Sequence, residues 1–130
     1  MGYDTHFNGE FKFDRELSHQ HSRELMKIHD TRHGNATTKD QDFPGMYCQW
    51  VPNETYTGLV WDGEDKFYEY IPWLKWLIDN VFEPNGYKLN GKVYWVGEQP
   101  TDIGTIEVKD NEIWVTKGQI IYDTAKTVKI

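Results

Sequence analysis

The sequence predicts a single α+β domain in which an antiparallel sheet carries two helices on one face. Near the N terminus, apolar and polar residues alternate with the period of a half-buried strand. In the middle of the chain, apolar residues recur at three- and four-residue spacing, which is typical of a helix. Three short strand patterns follow that helix. The 130 residues suffice for one domain with a buried core, so we assign residues 1–130 to a single domain.

The first half of the chain predicts the order strand, helix, strand, strand. Residues 3–13 alternate as a strand, with Gly9 as a bulge position. Ser18 can cap a helix that Gly34 ends. A polar loop over residues 34–45 follows, and the segments MYCQWVP and TGLVWD then predict two strands of a hairpin.

The second half predicts a helix and then strands. The apolar stripe runs from Phe67 to Val81, and Pro72 lies either in the first turn of this helix or at a bend. The segments KVYWVG, GTIEVKD and EIWVTKG read as three short strands. Residues 117–130 are either a further edge strand or a tail. The whole order, β-α-β-β-α-β-β(-β), predicts the split βαβ, ferredoxin-like plan.

Composition limits the classes of function. The formal net charge is −7, which disfavours direct nucleic-acid binding, because such proteins neutralise phosphates with Lys and Arg. No apolar run approaches the roughly 20 residues that span a bilayer, and no leader pattern opens the chain. We therefore expect a cytoplasmic protein without a membrane partner. With neither a P-loop nor a GxGxxG motif, we expect no cofactor.

Several blocks in order give the chain a family resemblance: GYDTHFNGEF, CQWVP, WDGEDKFY, GYKLNGKVYW and the later DN pair. The sequence resembles a family of small bacteriophage and prophage proteins over about residues 2–115. The resemblance implies a phage source and expression inside an infected bacterium. It carries no mechanism to this chain. Phage genes of this size often encode inhibitors of host or defence proteins, and this is an association rather than a physical argument.

Four histidines lie close together in the segment SHQHSRELMKIHDTRHG. His29 and His33 would be neighbours at four-residue spacing on a helix, which would allow them to share a metal ion. A structural zinc ion needs three or four protein ligands, and neither CxxC nor HExxH occurs. We therefore predict no metal site. The histidines are interpreted as a helix surface, with His33 favoured as a cation near the helix C terminus.

Exposed aromatic and acidic residues are the predicted partner-binding groups. Trp73 and Trp76 fall outside the apolar stripe of the second helix, a composition expected of interaction hot spots; the alternative is that the KDQDFPG loop or the C-terminal tail covers them. Trp114 alternates away from its apolar neighbours and is either exposed or packed across strands. Acidic residues of two loops complete the set: Asp62, Glu64, Asp65, Glu98 and Asp102. Helix capping and solvation are the alternative for these carboxylates.

The predicted function is that of a phage-encoded, non-enzymatic inhibitor or adaptor that binds a host protein. A homodimer through the tryptophan face is an alternative from the same residues. A second alternative is a sponge that sequesters a nucleotide-type signal in a dimer cleft, using Arg15, Arg23 or Arg32. A third is a small hydrolase or phosphodiesterase that uses Asp4 and His6 with Glu107. Cys48 on a strand is interpreted as a small buried hydrophobe rather than a nucleophile.

Overall fold

The computed structural model describes residues 2–34 and 43–130, so part of the predicted 34–45 loop lies outside the described residues. It contains a six-stranded antiparallel sheet in the order β2-β3-β1-β4-β5-β6, together with two α-helices. The strands are β1 Thr5–Phe13, β2 Trp50–Pro52, β3 Gly58–Trp61, β4 Leu89–Gly97, β5 Ile103–Lys109 and β6 Glu112–Lys117. The helices are α1 His19–Asp30 and α2 Tyr70–Leu77.

The α+β class and the antiparallel sheet are confirmed. The sheet continues through β5 and β6 beyond β4, so the strand order as a whole does not establish the ferredoxin-like plan. The C-terminal segment is a tail, and its single regular turn is a 3-10 helix at Thr124–Lys126.

β1 lies inside the sheet, between β3 and β4, and its two faces differ in polarity. Phe7, Phe11 and Phe13 are buried on the inner face, whereas His6 and Lys12 are exposed on the outer face. Gly9, the predicted bulge position, pairs one-to-one with Val93 and forms no bulge. Its φ is +116°, and a Cβ there would lie 2.6 Å from the backbone oxygen of Lys92. This close approach of β1 and β4 therefore requires glycine.

The core is one cluster formed by the inner face of the sheet and both helices. α1 contributes Leu25, and α2 contributes Trp73, Leu74 and Leu77. Aromatic rings fill the centre, with Trp50 in edge contact with Phe7, Phe11 and Phe67 at centroid distances of 5.3 to 5.7 Å. Edge-to-face pairs of this kind add to the stabilisation from buried area.

The two helices end differently from the prediction. The side chain of Ser18 caps α1 as expected, but α1 stops at Asp30, short of His33. α2 begins at Tyr70, which leaves Pro72 in the first turn, where the ring is tolerated. After Leu77 the chain continues as one π-helical segment, Ile78–Phe82, and a 3-10 turn, Glu83–Asn85. Within the described residues, no helix is long and apolar enough to cross a membrane.

Candidate functional site

One end of the sheet gathers most of the predicted acidic residues. β1 begins at this end, and its antiparallel neighbours β3 and β4 finish there. The loops that carry Asp62 to Asp65 and Glu98 to Asp102 therefore lie at the same end of the sheet, on either side of β1, although some 35 residues separate them in sequence. The antiparallel register, rather than any local motif, produces this acidic end.

Two of these carboxylates fasten the N-terminal segment. Asp102 accepts hydrogen bonds from the Tyr3 hydroxyl at 2.8 Å and from the Trp95 indole at 2.9 Å. Glu98 accepts one from the backbone N–H of Asp4 at 2.8 Å. Because these contacts occupy their oxygens, Glu98 and Asp102 have structural roles in addition to any role towards a partner.

His29 joins the end of α1 to the loop after β3. Its Nε2 lies 2.8 Å from Oδ2 of Asp62, and its Nδ1 lies 2.9 Å from Oδ1 of Asp30. Burial alone would lower the pKa of His29, but the hydrogen bonds and charges of Asp30 and Asp62 outweigh burial and raise the pKa. A protonated imidazole donates to both carboxylates at once, so this bridge forms best when His29 carries a proton.

The same region contains the described residues best arranged to offer atoms to a metal ion. Atoms of His29, Asp62 and Glu64 lie within 4.8 Å of one another. Both nitrogens of His29 already lie at hydrogen-bond distance from the carboxylates of Asp30 and Asp62. A protonated imidazole therefore satisfies both carboxylates without a metal ion. The considered pair of His29 and His33 does not form, because α1 ends before His33, whose Nε2 lies 3.1 Å from the carbonyl oxygen of Ile28.

Beside the acidic end lies a cleft of about 520 Å³. Its walls are the segments before β2 and after β3. Exposed apolar and aromatic groups form much of the lining: Met46 is 37% exposed, and Tyr47 and Tyr68 are each 48% exposed. The complete described lining is Gly34, Pro44, Gly45, Met46, Tyr47, Gln49, Glu64, Asp65, Lys66 and Tyr68. A concave surface with apolar walls and a few polar groups is typical of a binding site.

The walls of the cleft are held by buried polar contacts. Gln49 is 6% exposed and donates from Nε2 to the carbonyl oxygen of Asp65 at 3.0 Å, while its Oε1 accepts from the Trp61 indole at 3.0 Å. Lys66 and Glu69 adopt left-handed backbone conformations, with φ of 62° and 59°. Such strained positions persist where the surroundings hold them, and they concentrate at functional sites.

The charge at the rim of the cleft is predominantly negative. Glu64 and Asp65 are exposed there, and the Asp62 side chain lies next to Glu64. The amine of Lys66 lies 3.4 Å from Oδ1 of Asp4, so its positive charge is partly balanced within the chain. The described residues of the cleft therefore offer an apolar and aromatic surface beside the exposed carboxylates of Glu64 and Asp65.

The prediction of an exposed tryptophan pair on α2 is wrong for Trp73, which is fully buried. Trp76 is partly buried. Phe43 of the preceding loop covers both, with ring centroids 5.8 Å from Trp73 and 4.8 Å from Trp76, and the ring of His33 stacks on Phe43 at 4.0 Å. α2 therefore packs against the sheet on one side and against Phe43 on another. This agrees with the alternative in which the KDQDFPG loop covers the two tryptophans.

This packing also corrects the interpretation of His33. The sequence placed it on the helix surface, favoured as a cation, but His33 is 3% exposed and lies among aromatic rings.

Trp114, in contrast to Trp73, is 54% exposed on the outer face of β6. Its nearest cation is Lys109, whose amine lies 6.0 Å from the ring centroid. Of the three predicted tryptophans, Trp114 is therefore the best available to a partner.

Of the residues of the enzymatic alternative, Glu107 lies far from His6 in the sheet. His6 is exposed and packs edge-on against Trp61 at 4.9 Å. Glu107 is opposite Lys92 and lies two strands away from β1, level with Glu10. At about 3.3 Å per residue along a strand and about 4.8 Å between strands, His6 and Glu107 are roughly 16 Å apart. A substrate bond could not touch both at hydrogen-bond distance.

Cys48 and Arg15 are also engaged in structure. Cys48 is 1% exposed, and burial raises the pKa of its thiol to about 12, which is unfavourable for a nucleophile. Arg15 donates to the carbonyl oxygens of Gly86 and Asn85 and lies over the Tyr87 ring. Arg32 approaches the cleft, with a guanidinium nitrogen 3.8 Å from Sδ of Met46.

Sequence reasoning found Glu64 and Asp65 but missed the aromatic lining of the cleft. Tyr47 belongs to the segment MYCQWVP, which predicts a strand, but β2 begins only at Trp50. Tyr68 lies just ahead of α2 and had no role in the helical stripe. Their one local signal is the occurrence of aromatic residues beside Gly and Pro, which also fits an ordinary loop.

Comparison of the chain with protein-family models, curated proteins and solved structures gave no match in any of the three.

Proposed function

We propose that this chain acts by binding another protein through the cleft beside β2 and β3. The observation that carries the proposal is the combination of exposed aromatic side chains with an acidic rim in one concave surface. Tyrosine and methionine are enriched at protein interfaces because they supply contact area. The carboxylates add attraction at a distance and accelerate encounter with a positively charged partner.

The chemistry of the cleft selects the kind of partner. Tyr47, Tyr68 and Met46 favour an apolar or aromatic side chain, while Glu64 and Asp65 favour Lys or Arg. A protein segment that alternates basic and apolar residues satisfies both requirements. Glu98 and Asp102 lie at the same end of the sheet and extend the negative field, whereas exposed Trp114 belongs to a different face.

The family resemblance supplies the biological setting of the proposal. The chain is a phage-encoded inhibitor or adaptor without catalytic activity, its partner is a host protein, and it acts in the cytoplasm of the infected bacterium. A component of a host defence system is the first partner class to test. The distance between His6 and Glu107 removes Glu107 from the hydrolase alternative and leaves only Asp4 and His6 to it.

Affinity capture with two cleft variants tests this function. The tagged protein is incubated with host lysate, and captured proteins are identified by mass spectrometry. Tyr47→Ala removes exposed contact area, and Glu64→Lys reverses one rim charge. The Glu64 side chain lies near His29 and Asp62 but forms no hydrogen bond or ion pair among the described residues. We expect each variant to weaken capture by at least tenfold, as loss of a hot-spot contact would. Capture should also decline as the salt concentration rises.

Glu54→Lys is the matched control. Glu54 is exposed in the turn between β2 and β3, at the opposite end of the sheet from the cleft. It changes the net charge by the same amount as Glu64→Lys, so it should leave capture intact. Equal capture of a host protein by wild type and all three variants would contradict the cleft as the binding site. Failure of wild type to retain any host protein would contradict the function itself.

One observation favours the sponge alternative. Arg32 lies against Met46 at the cleft and could meet a phosphate there, with the tyrosines stacking on a base. The carboxylates of Glu64 and Asp65 oppose such an anion, and for that reason a protein partner is preferred. Mass spectrometry of small molecules released from the purified chain separates the two: a stoichiometric nucleotide supports the sponge.

We also propose that residues from β1 to β4 form a split βαβ unit to which β5 and β6 are added. The support is the spatial order β2-β3-β1-β4 of the first four strands, all antiparallel, with a helix in each of the two crossovers. β5 and β6 then extend the sheet beyond β4, at the edge opposite the cleft, and the cleft lies beside β2 and β3 at the other edge.

A further inference from the structure

The C-terminal arm, residues 119–130, exposes large apolar side chains to solvent. Ile121 is 76% exposed, Tyr122 is 84% exposed and Val128 is 75% exposed. Ile130 is completely exposed, and Ile120 is about half exposed. Scattered apolar residues are common on protein surfaces, but a concentration of this size in one short segment marks an interaction surface.

The outer face of the sheet has the complementary property. Tyr94 and Val96 of β4 are 53% and 54% exposed. Together with His6 and Asn8 of β1, opposite them in register, they border a shallow groove of about 600 Å³. The described lining of this sheet groove contains no carboxylate, lysine or arginine, so it suits apolar side chains. The helices cover the opposite face of the sheet and leave this face open.

The arm of the same chain does not fill the sheet groove. The backbone N–H of Gly118 is bonded to the carbonyl oxygen of Ile103 at 2.8 Å, so the arm leaves the sheet beside the edge of β5 and β6. Beyond that point the arm residues and the groove residues are both exposed. One chain thus carries an apolar ligand and an apolar receptor surface, each without its complement among the described residues.

The dimensions agree with a contact between two copies. Nine extended residues and the three-residue 3-10 turn reach roughly 36 Å, which exceeds the roughly 24 Å width of a six-stranded sheet. At about 150–200 Å² for a fully exposed large apolar side chain, one arm presents roughly 600–800 Å². A stable interface of ordinary size buries about 800 Å² per partner. Two exchanged arms therefore supply enough area.

We propose that two copies of this chain form a dimer by exchanging C-terminal arms, each arm lying in the sheet groove of the other copy. The contact is reciprocal, as two-fold symmetry requires, so both apolar surfaces are covered without a third component. This dimer differs from the homodimer expected through the tryptophan face, where Trp73 is buried and Trp76 is partly buried. It does not involve the host-protein cleft, which therefore stays open.

Light scattering after size-exclusion chromatography over a range of concentrations tests the dimer with the full chain. Ile121→Asp places a charge on the arm, and Val96→Asp places one in the sheet groove. We expect each to weaken dimerisation by at least tenfold. Val115→Asp is the matched control, because Val115 is 43% exposed on the inner side of β6, where the arm of the other copy does not lie. Circular dichroism checks folding, and Tyr94→Asp replaces Val96→Asp if that variant unfolds.

Mixing the two variants distinguishes exchange from a general surface effect. Ile121→Asp retains an intact groove, and Val96→Asp retains an intact arm, so a mixed pair restores one of the two contacts. We expect differently tagged variants to co-purify when mixed, although each alone is monomeric. A wild-type chain that is monomeric at every concentration overturns the proposal. So does a dimer that persists in both variants, or a mixture that fails to associate. Tyr47→Ala should remain dimeric, which separates this test from that of the cleft.

Discussion

Replacement of His29 should destabilise the fold in a way that depends on pH. The side chains of His29 and Asp62 are 20% and 11% exposed, so their 2.8 Å contact is well shielded from water. A hydrogen bond to a charged group contributes about 1.5–3 kcal/mol. The contact with Asp30 adds less, because the Asp30 side chain is 68% exposed and exposed pairs contribute roughly 0.2–1 kcal/mol. We therefore expect His29→Ala to lower the free energy of unfolding by about 2–3 kcal/mol.

The sign of the pH dependence follows from the raised pKa of His29 in the folded state. A raised pKa means that the folded protein holds this proton more tightly than the unfolded chain does. The stabilisation is therefore complete below the unfolded-state pKa of about 6.5 and is lost as the pH rises through the folded pKa. Asp30, Asp62 and Glu64 are the charged groups that face His29, and all are acidic.

Thermal unfolding of wild type and His29→Ala between about pH 6 and pH 9 measures this effect. For a chain of this size, about 2–3 kcal/mol corresponds to a Tm difference of roughly 6–15 °C near pH 6, and this difference should shrink towards pH 9. His19→Ala is the control, because His19 is exposed at the start of the same helix; its effect should be small and flat. A difference for His29→Ala that stays constant or grows with pH would refute the reasoning.

Two further predictions concern burial. Trp73→Ala should lower the free energy of unfolding by about 3–5 kcal/mol because it empties a fully buried site. Trp114→Ala should change the free energy of unfolding by less than about 1 kcal/mol because Trp114 is 54% exposed. Urea denaturation measures both, and equal effects would show that the assigned burial is wrong. Cys48, with a pKa raised to about 12, should not react with a thiol reagent near neutral pH until the protein is unfolded, and rapid stoichiometric labelling of the native chain would contradict its burial.

Local pattern was sufficient where a segment has one polar and one apolar side. The alternation in residues 3–13 predicted β1 and its inner phenylalanines, because successive side chains of a strand point to opposite faces. The α1 cap at Ser18 was predicted for an equally local reason, since a serine oxygen can accept from the first turn. Such features depend on neighbours within a few residues.

Trp73 illustrates where local pattern fails. Its position off the apolar stripe of α2 indicated exposure, but a stripe describes one buried side, and α2 has two. The second cover comes from Phe43, thirty positions earlier in the chain, and no periodicity within the helix encodes that contact. The end of α1 was missed for a related reason: α1 ends at Asp30, and the ring of His33 stacks on Phe43, a contact outside the periodicity of the helix.

The sequence by itself determined the α+β class, the phases of β1 and of the middle helix, and the negative charge, because propensity, periodicity and composition act locally or sum over the chain. Tertiary structure decided the cleft, the bridge from His29 to Asp62, and the exposure of the arm and the sheet groove. Each of these depends on which distant segments are adjacent. That adjacency is set by strand order and register, which are properties of the whole folded chain.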